Sequence, residues 1–126
     1  MAFGTLAFDT LQTSDSKNTG TNKTLDTSYL YNGSAKAWLD YDQTTENIEG
    51  SYNVSSVSDD ASGRFSYTMT NAMSNANWSM PFTSSAAVAQ INSAVTSTQG
   101  KCRSRDASFS DADATQNCTC NHGDLA

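Results

Sequence analysis

The chain has 126 residues and a formal net charge of −6; 37% of its residues are apolar, and 46 of its 126 positions are Ser, Thr or Asn. This length suits one domain with an extended segment attached, and so lean an apolar fraction stabilises a lone small domain poorly without disulfides, metal or assembly. The acidic balance argues against nucleic acid or anionic lipid as partner, and no apolar run is long enough to span a bilayer.

In chain order, residues 1–28 read as an extended N-terminal arm. Leu6, Phe8 and Leu11 form its apolar clusters, and the Thr-, Asn- and Ser-rich remainder cannot bury much by itself, so the arm is expected to order on a partner. No cationic residue precedes Lys17 and the opening stretch lacks an apolar run of signal-peptide length, so synthesis in a reducing cytoplasm is expected.

Residues 29–126 read as one β-rich domain. Asn32-Gly33 between apolar segments predicts a tight hairpin joining strands at residues 29–31 and 35–41, because Gly and Asn supply the positive φ of a type I′ turn. Ala37, Leu39 and Tyr41 alternate with Trp38, Asp40 and Asp42. Tyr52 and Val54 share a face, Val57 breaks the alternation and predicts a bulge, and "SDDASG" supplies a turn. Phe65, Tyr67 and Met69 then alternate with Ser66, Thr68 and Thr70, and Ala76, Trp78 and Met80 continue the period of two up to Pro81, which should end a strand or sit at a sheet edge. Val88, Ile91 and Val95 fit a helix, whereas Ala89, Ile91 and Val95 fit a strand; both readings stay open. The remainder reads as one or two strands joined by the acidic turn "SDADATQN". So many short strands point to a mainly β, antiparallel domain.

For chemistry, Cys102, Cys118, Cys120 and His122 could in principle supply a zinc ion with three sulfurs and one nitrogen. The last three alternate along a strand, about 7 Å apart per step, too far to share an ion without bending. We expect Cys118 and Cys120 to be small core residues of the last strand, with zinc or a disulfide to Cys102 as alternatives. Asp111, Asp113, Thr115 and Asn117 have the alternating oxygens of a calcium loop but lack its glycine and bidentate glutamate. Asp59 and Asp60 would point to opposite sides of a strand and make no glycosidase pair. No nucleophile elbow or phosphate loop occurs, so the chain reads as non-enzymatic and without a cofactor. Trp38, Trp78 and Tyr41, with Tyr29 and Tyr31, could form a platform for sugar rings, although packing in a core or between subunits is the commoner use of such aromatics. Five Asn-x-Ser/Thr triplets follow from the composition.

In the stretches "SAKAW" (34–38), "SYNVSSV" (51–57), "GRFSY" (63–67), "NAMSNANW" (71–78) and the terminal "HGD" (122–124), the chain resembles the C-terminal domain of tail-fibre and fibre-like virion proteins of marine, cyanobacterial-type tailed bacteriophages. Its Thr-rich N-terminal segment is similar to the one that precedes that domain; residues 82–110 lie outside the resemblance. The resemblance implies a small antiparallel β-sandwich-like domain, assembled as a homotrimer, with a structural or host-recognition role in the virion. Tyr52, Val54, Phe65, Tyr67 and Met69 would then pack the core or the trimer. The arm would bind other virion proteins, and the domain would contact a host surface glycan or protein. A capsid decoration protein and a carbohydrate-binding module are the rival readings.

Overall fold

A computed structural model of the chain describes residues 31, 33–93 and 95–126, together with the backbone of two short strands at 10–12 and 24–26. The chain divides into two compact units, residues 1–34 and 35–126. In the first unit β1 (Thr10–Gln12) and β2 (Thr24–Asp26) pair antiparallel, with Leu11 opposite Leu25. Leu6 and Phe8 lie outside the described residues.

The second unit consists of β3 (Ala37–Asp42), β4 (Asn47–Tyr52), β5 (Val54–Ala61), β6 (Arg64–Met69), β7 (Phe82–Ser84), β8 (Val88–Ile91), β9 (Gln99–Arg105) and β10 (Asn117–Asn121). They form two four-stranded sheets, ordered β4-β3-β10-β7 and β5-β6-β9-β8, in which every pairing is antiparallel. The sheets pack face to face as a β-sandwich, so the chain is mainly β, as its periodicity predicts. The order β10-β7-β8-β9 is a Greek key folded across both sheets: three strands in sequence, and a fourth that returns by residues 106–116 to lie beside the first.

The chain changes sheet at two edges. At one, β4 runs into β5 through Asn53 alone, whose φ of 55° is a left-handed conformation that Asn tolerates better than most residues. Its side chain fixes the bend: Nδ2 donates to the carbonyls of Lys36 (2.9 Å) and Asn71 (3.1 Å), and Oδ1 accepts from Asn71 N (2.7 Å). At the other edge β7 reaches β8 through residues 85–87.

The core lies between the sheets. Ala37, Leu39 and Tyr41 of β3 meet Phe65, Tyr67 and Met69 of β6 and Cys102 of β9, with Met73 and Met80 from the β6–β7 crossover. Phe65 joins the layers, 5.1 Å from the ring centre of Tyr41 and 5.9 Å from that of Phe82. Burial of side chains this large contributes about 2 kcal/mol each.

Several sequence expectations change. The hairpin expected at Asn32-Gly33 falls on residues 29, 30 and 32, which lie outside the described residues; its second strand, expected at 35–41, begins at Ala37 and pairs with β4 and β10. Asp59 and Asp60 are strand residues of β5, and the turn is confined to Ser62-Gly63. The irregularity expected near Val57 occurs as register shifts between Val54 and Ser56 and between Asp59 and Ala61. Residues 76–80 form no strand but an irregular crossover held by a bridge from Ser79 to His122. Of the two readings for residues 88–95 the strand holds at Val88–Ile91, and Pro81 stands immediately before the edge strand β7.

Candidate functional site: two unlike sheet faces

The side chains of β10 face the opposite way from the expectation. Asn117, Thr119 and Asn121 are buried, whereas Cys118 and Cys120 are half-exposed on the outer side. Register explains it. Asn117, Thr119 and Asn121 lie opposite Tyr41, Leu39 and Ala37, the inward residues of β3, so Cys118 and Cys120 fall opposite Asp40 and Trp38. The buried amides find partners inside: Asn117 Nδ2 donates to the carbonyls of Tyr41 (3.3 Å) and Ala114 (3.1 Å), and Asn121 Oδ1 accepts from the Tyr67 hydroxyl (2.9 Å).

Cys102 sits in the core on β9, on the other sheet from Cys118 and Cys120, and all three thiols are free. The disulfide alternative is therefore not realised. Among the described residues no three His, Cys, Asp or Glu side chains converge as a metal site. Two outer contacts remain: Cys120 Sγ lies 3.4 Å from His122 Nε2, and the Cys118 thiol donates to Asp40 Oδ1 at 3.5 Å. Burial, and then the Asp40 charge, push the Cys118 thiol up.

The outer face of the β4-β3-β10-β7 sheet carries an aromatic pair. Trp38 and Tyr52 are directly opposite on β3 and β4 and are 41% and 56% exposed. The six-membered ring of Trp38 lies over Gly50, where an added Cβ would stand 3.1 Å from the indole. Ile48, 42% exposed on β4, is not part of this pair: a register shift between Asp40 and Tyr41 places it opposite Tyr41, an inward residue of β3. The sequence assigned this role to Trp38, Trp78 and Tyr41 together. Only Trp38 is placed for it. Tyr41 is 2% exposed, so it belongs to the core, where burial and then Asp59 push its phenol up. Trp78 is half-buried against the core and donates from Nε1 to the Thr96 carbonyl at 2.9 Å. Tyr52, expected in packing, is the exposed partner of Trp38; of the other packing residues, Phe65, Tyr67 and Met69 are buried and Val54 is partly so. Tyr52 was missed because alternation defines two faces of a strand without saying which is covered.

On the other sheet, Asp111 does not serve a calcium loop. Its carboxylate is engaged by Arg64, Arg103 and Arg105, at closest distances of 2.7, 2.7 and 3.2 Å. Hydrogen bonds from these guanidiniums, that from Arg103 foremost, hold its carboxyl down at about 2. Asp113 accepts the Gly63 N–H at 2.6 Å instead. This convergence was hidden in the sequence because it depends on pairing β6 with β9 and folding residues 106–116 back over them. A shallow cleft of about 370 Å³ lies nearby, lined by Ser85, Ala86, Asp106, Asp113 and Thr115 among others.

Searches of family models, of curated proteins and of solved structures returned no match to the chain.

Proposed function

We propose that the chain is a non-enzymatic structural protein of a tailed-phage virion, a short fibre or fibre tip whose sandwich associates as a homotrimer. The observation that carries this reading is the exposed Trp38–Tyr52 pair, an aromatic surface at an edge strand that is uncovered in the single chain. A thin core that leaves such residues outside gains further burial by assembly. The resemblance of residues 34–38, 51–57, 63–67 and 71–78 to fibre-type domains supports the same reading, with the N-terminal segment binding other virion components. In a capsid decoration protein the same N-terminal segment would lie on shell subunits.

Carbohydrate binding has its own supporting observation. An exposed indole whose six-membered ring reaches over Gly50, with Asp40 on the same face, is a surface on which a sugar ring stacks and finds a hydrogen-bond acceptor.

Native mass spectrometry of the full chain tests the proposal. A trimer that dissociates in Trp38→Ala and Tyr52→Ala is expected; a monomeric wild-type chain at micromolar concentration would sink the fibre reading. Glycan-array binding by that monomer, lost in Trp38→Ala, would establish the sugar-binding alternative.

A further inference from the structure

The chain contains three arginines, and all three end on one carboxylate. Arg103 grips Asp111 with both arms of its fork, Nε to Oδ1 at 2.7 Å and Nη2 to Oδ2 at 3.0 Å. Arg64 reaches Oδ2 through Nε at 2.8 Å and Nη2 at 2.7 Å, and Arg105 reaches Oδ1 through Nε at 3.2 Å. A carboxylate offers about four lone-pair sites. Asp111 is therefore saturated, while two positive charges and several N–H donors remain unanswered. No other carboxylate among the described residues forms an ion pair with these arginines. The neighbouring acids are occupied elsewhere: Asp60 accepts from Ser66 Oγ, Asp106 from the N–H groups of Ser108 and Ser110, and Asp113 from Gly63.

The surplus is concentrated. Gly100, Cys102 and Ser104 of β9 point inward, so Lys101, Arg103 and Arg105 share the outer face, with Arg64 directly opposite Arg103. Four of the five cationic side chains among the described residues thus sit on one sheet face of a chain whose net charge is −6. Like charges directly opposite on a sheet are destabilising. One arginine would suffice to tie Asp111 to the sheet, so the second and third need another reason.

The seat is rigid. Gly63, at φ +66°, leaves no room for a Cβ, which would meet the Ser104 carbonyl at 2.4 Å and Ala112 N at 2.5 Å. The β5–β6 turn, β9 and the Asp111 segment are stitched by Ser104 N to Gly63 O (2.7 Å), Ser104 Oγ to Ala112 O (2.8 Å) and Ala112 N to Ser104 O (3.2 Å). Within the same loop, two residues from Asp111, Phe109 is 67% exposed and held at φ 63°. Hydroxyl and amide side chains surround the cations: Gln90 opposite Arg103, Thr68 opposite Gln99, Ser56 opposite Thr68.

We propose that this face, around Arg64, Lys101, Arg103 and Arg105, binds the oxyanion groups of an acidic polysaccharide, sulfate ester or carboxylate, with Phe109 offering a ring for the sugar. Planar guanidinium forks match both groups bidentately, and Asp111 holds the forks in place before the ligand arrives, which lowers the cost of ordering them. The polar surround suits hydroxyl-rich rings, and an otherwise acidic chain does not suit a continuous phosphate backbone. The site stands independently of any virion role.

The test is titration of the full chain, at low ionic strength, with dextran sulfate, polygalacturonate, neutral dextran and duplex DNA, followed by backbone amide shifts. Expected is binding of one or both acidic polysaccharides and not of neutral dextran, with shifts confined to residues 63–66, 101–105 and 109–112; which polymer binds tighter identifies the oxyanion. Arg64→Lys, which keeps the charge and removes the fork, should lower affinity about tenfold, the loss of one or two charge-assisted hydrogen bonds. Phe109→Ala changes an exposed residue and should fold normally while weakening binding severalfold. Absence of binding, shifts located elsewhere, DNA bound as tightly as the polysaccharides, or affinity unchanged in both variants would each overturn the proposal.

Discussion

Tyr67 on β6 donates its hydroxyl to Asn121 Oδ1 on β10 at 2.9 Å, a bond that crosses the sandwich between two fully buried side chains. It gives Asn121 its one inner partner, since Nδ2 of the same amide has none. Tyr67→Phe therefore keeps the ring and orphans the amide, at an expected cost of about 1–3 kcal/mol. Urea denaturation checks this: a shifted midpoint with unchanged slope is expected, and an unchanged midpoint would show that the amide is satisfied in another way.

Asn53 combines a left-handed backbone with three side-chain hydrogen bonds at the bend between sheets. Asn53→Ala loses both and should cost about 2–4 kcal/mol. Asn53→Gly recovers only the backbone freedom, so its thermal midpoint should fall between those of wild type and Asn53→Ala. Equal midpoints for the two variants would assign the whole effect to the side chain.

The three thiols should differ in reactivity. Cys102 is buried and its thiol is pushed up by that burial, so it should react with a disulfide reagent only on unfolding. Cys118 and Cys120 are half-exposed and should react in the native protein, Cys118 slowly because burial and Asp40 disfavour its thiolate. Peptide mapping of the modified native chain that found Cys102 labelled would contradict the inward orientation of β9.

Acid should loosen the clamp on Asp111 within a defined window. Its folded-state value near 2 lies below the ordinary 3.8, so its contribution is fully present above about 4 and is lost as pH falls through 2. Asp111→Asn removes that dependence and leaves three arginines facing one another. The variant should be less stable than wild type at pH 7, and the gap should close as pH approaches 2. A gap that stays constant over that range would show that Asp111 contributes packing and not charge.

Alternation at Ala37–Asp42 and Arg64–Met69 identified the two strands that supply most of the core, because a period of two is written in adjacent residues and needs no knowledge of partners. The alternation of Cys118, Cys120 and His122 with Asn117, Thr119 and Asn121 likewise marked the last strand. It could not say which side of that strand faces inward. Asn117 and Asn121 are less apolar than Cys118 and Cys120, yet they are the buried set, because the register of β10 against β3 turns them inward, where each amide finds a partner for one of its two polar atoms. The same limit hid the two faces that carry the functional proposals. Trp38 meets Tyr52 only once β3 is folded on β4, and Arg64 meets Arg103, Arg105 and Asp111 only once β6 lies against β9 and the loop closes over both. Local sequence determined the two-sidedness of strands such as β3 and β6, and misled at residues 76–80, which alternate without forming a strand. Which side is covered, and which distant charges share a site, was decided by long-range pairing, since a one-residue change of register would reverse every face.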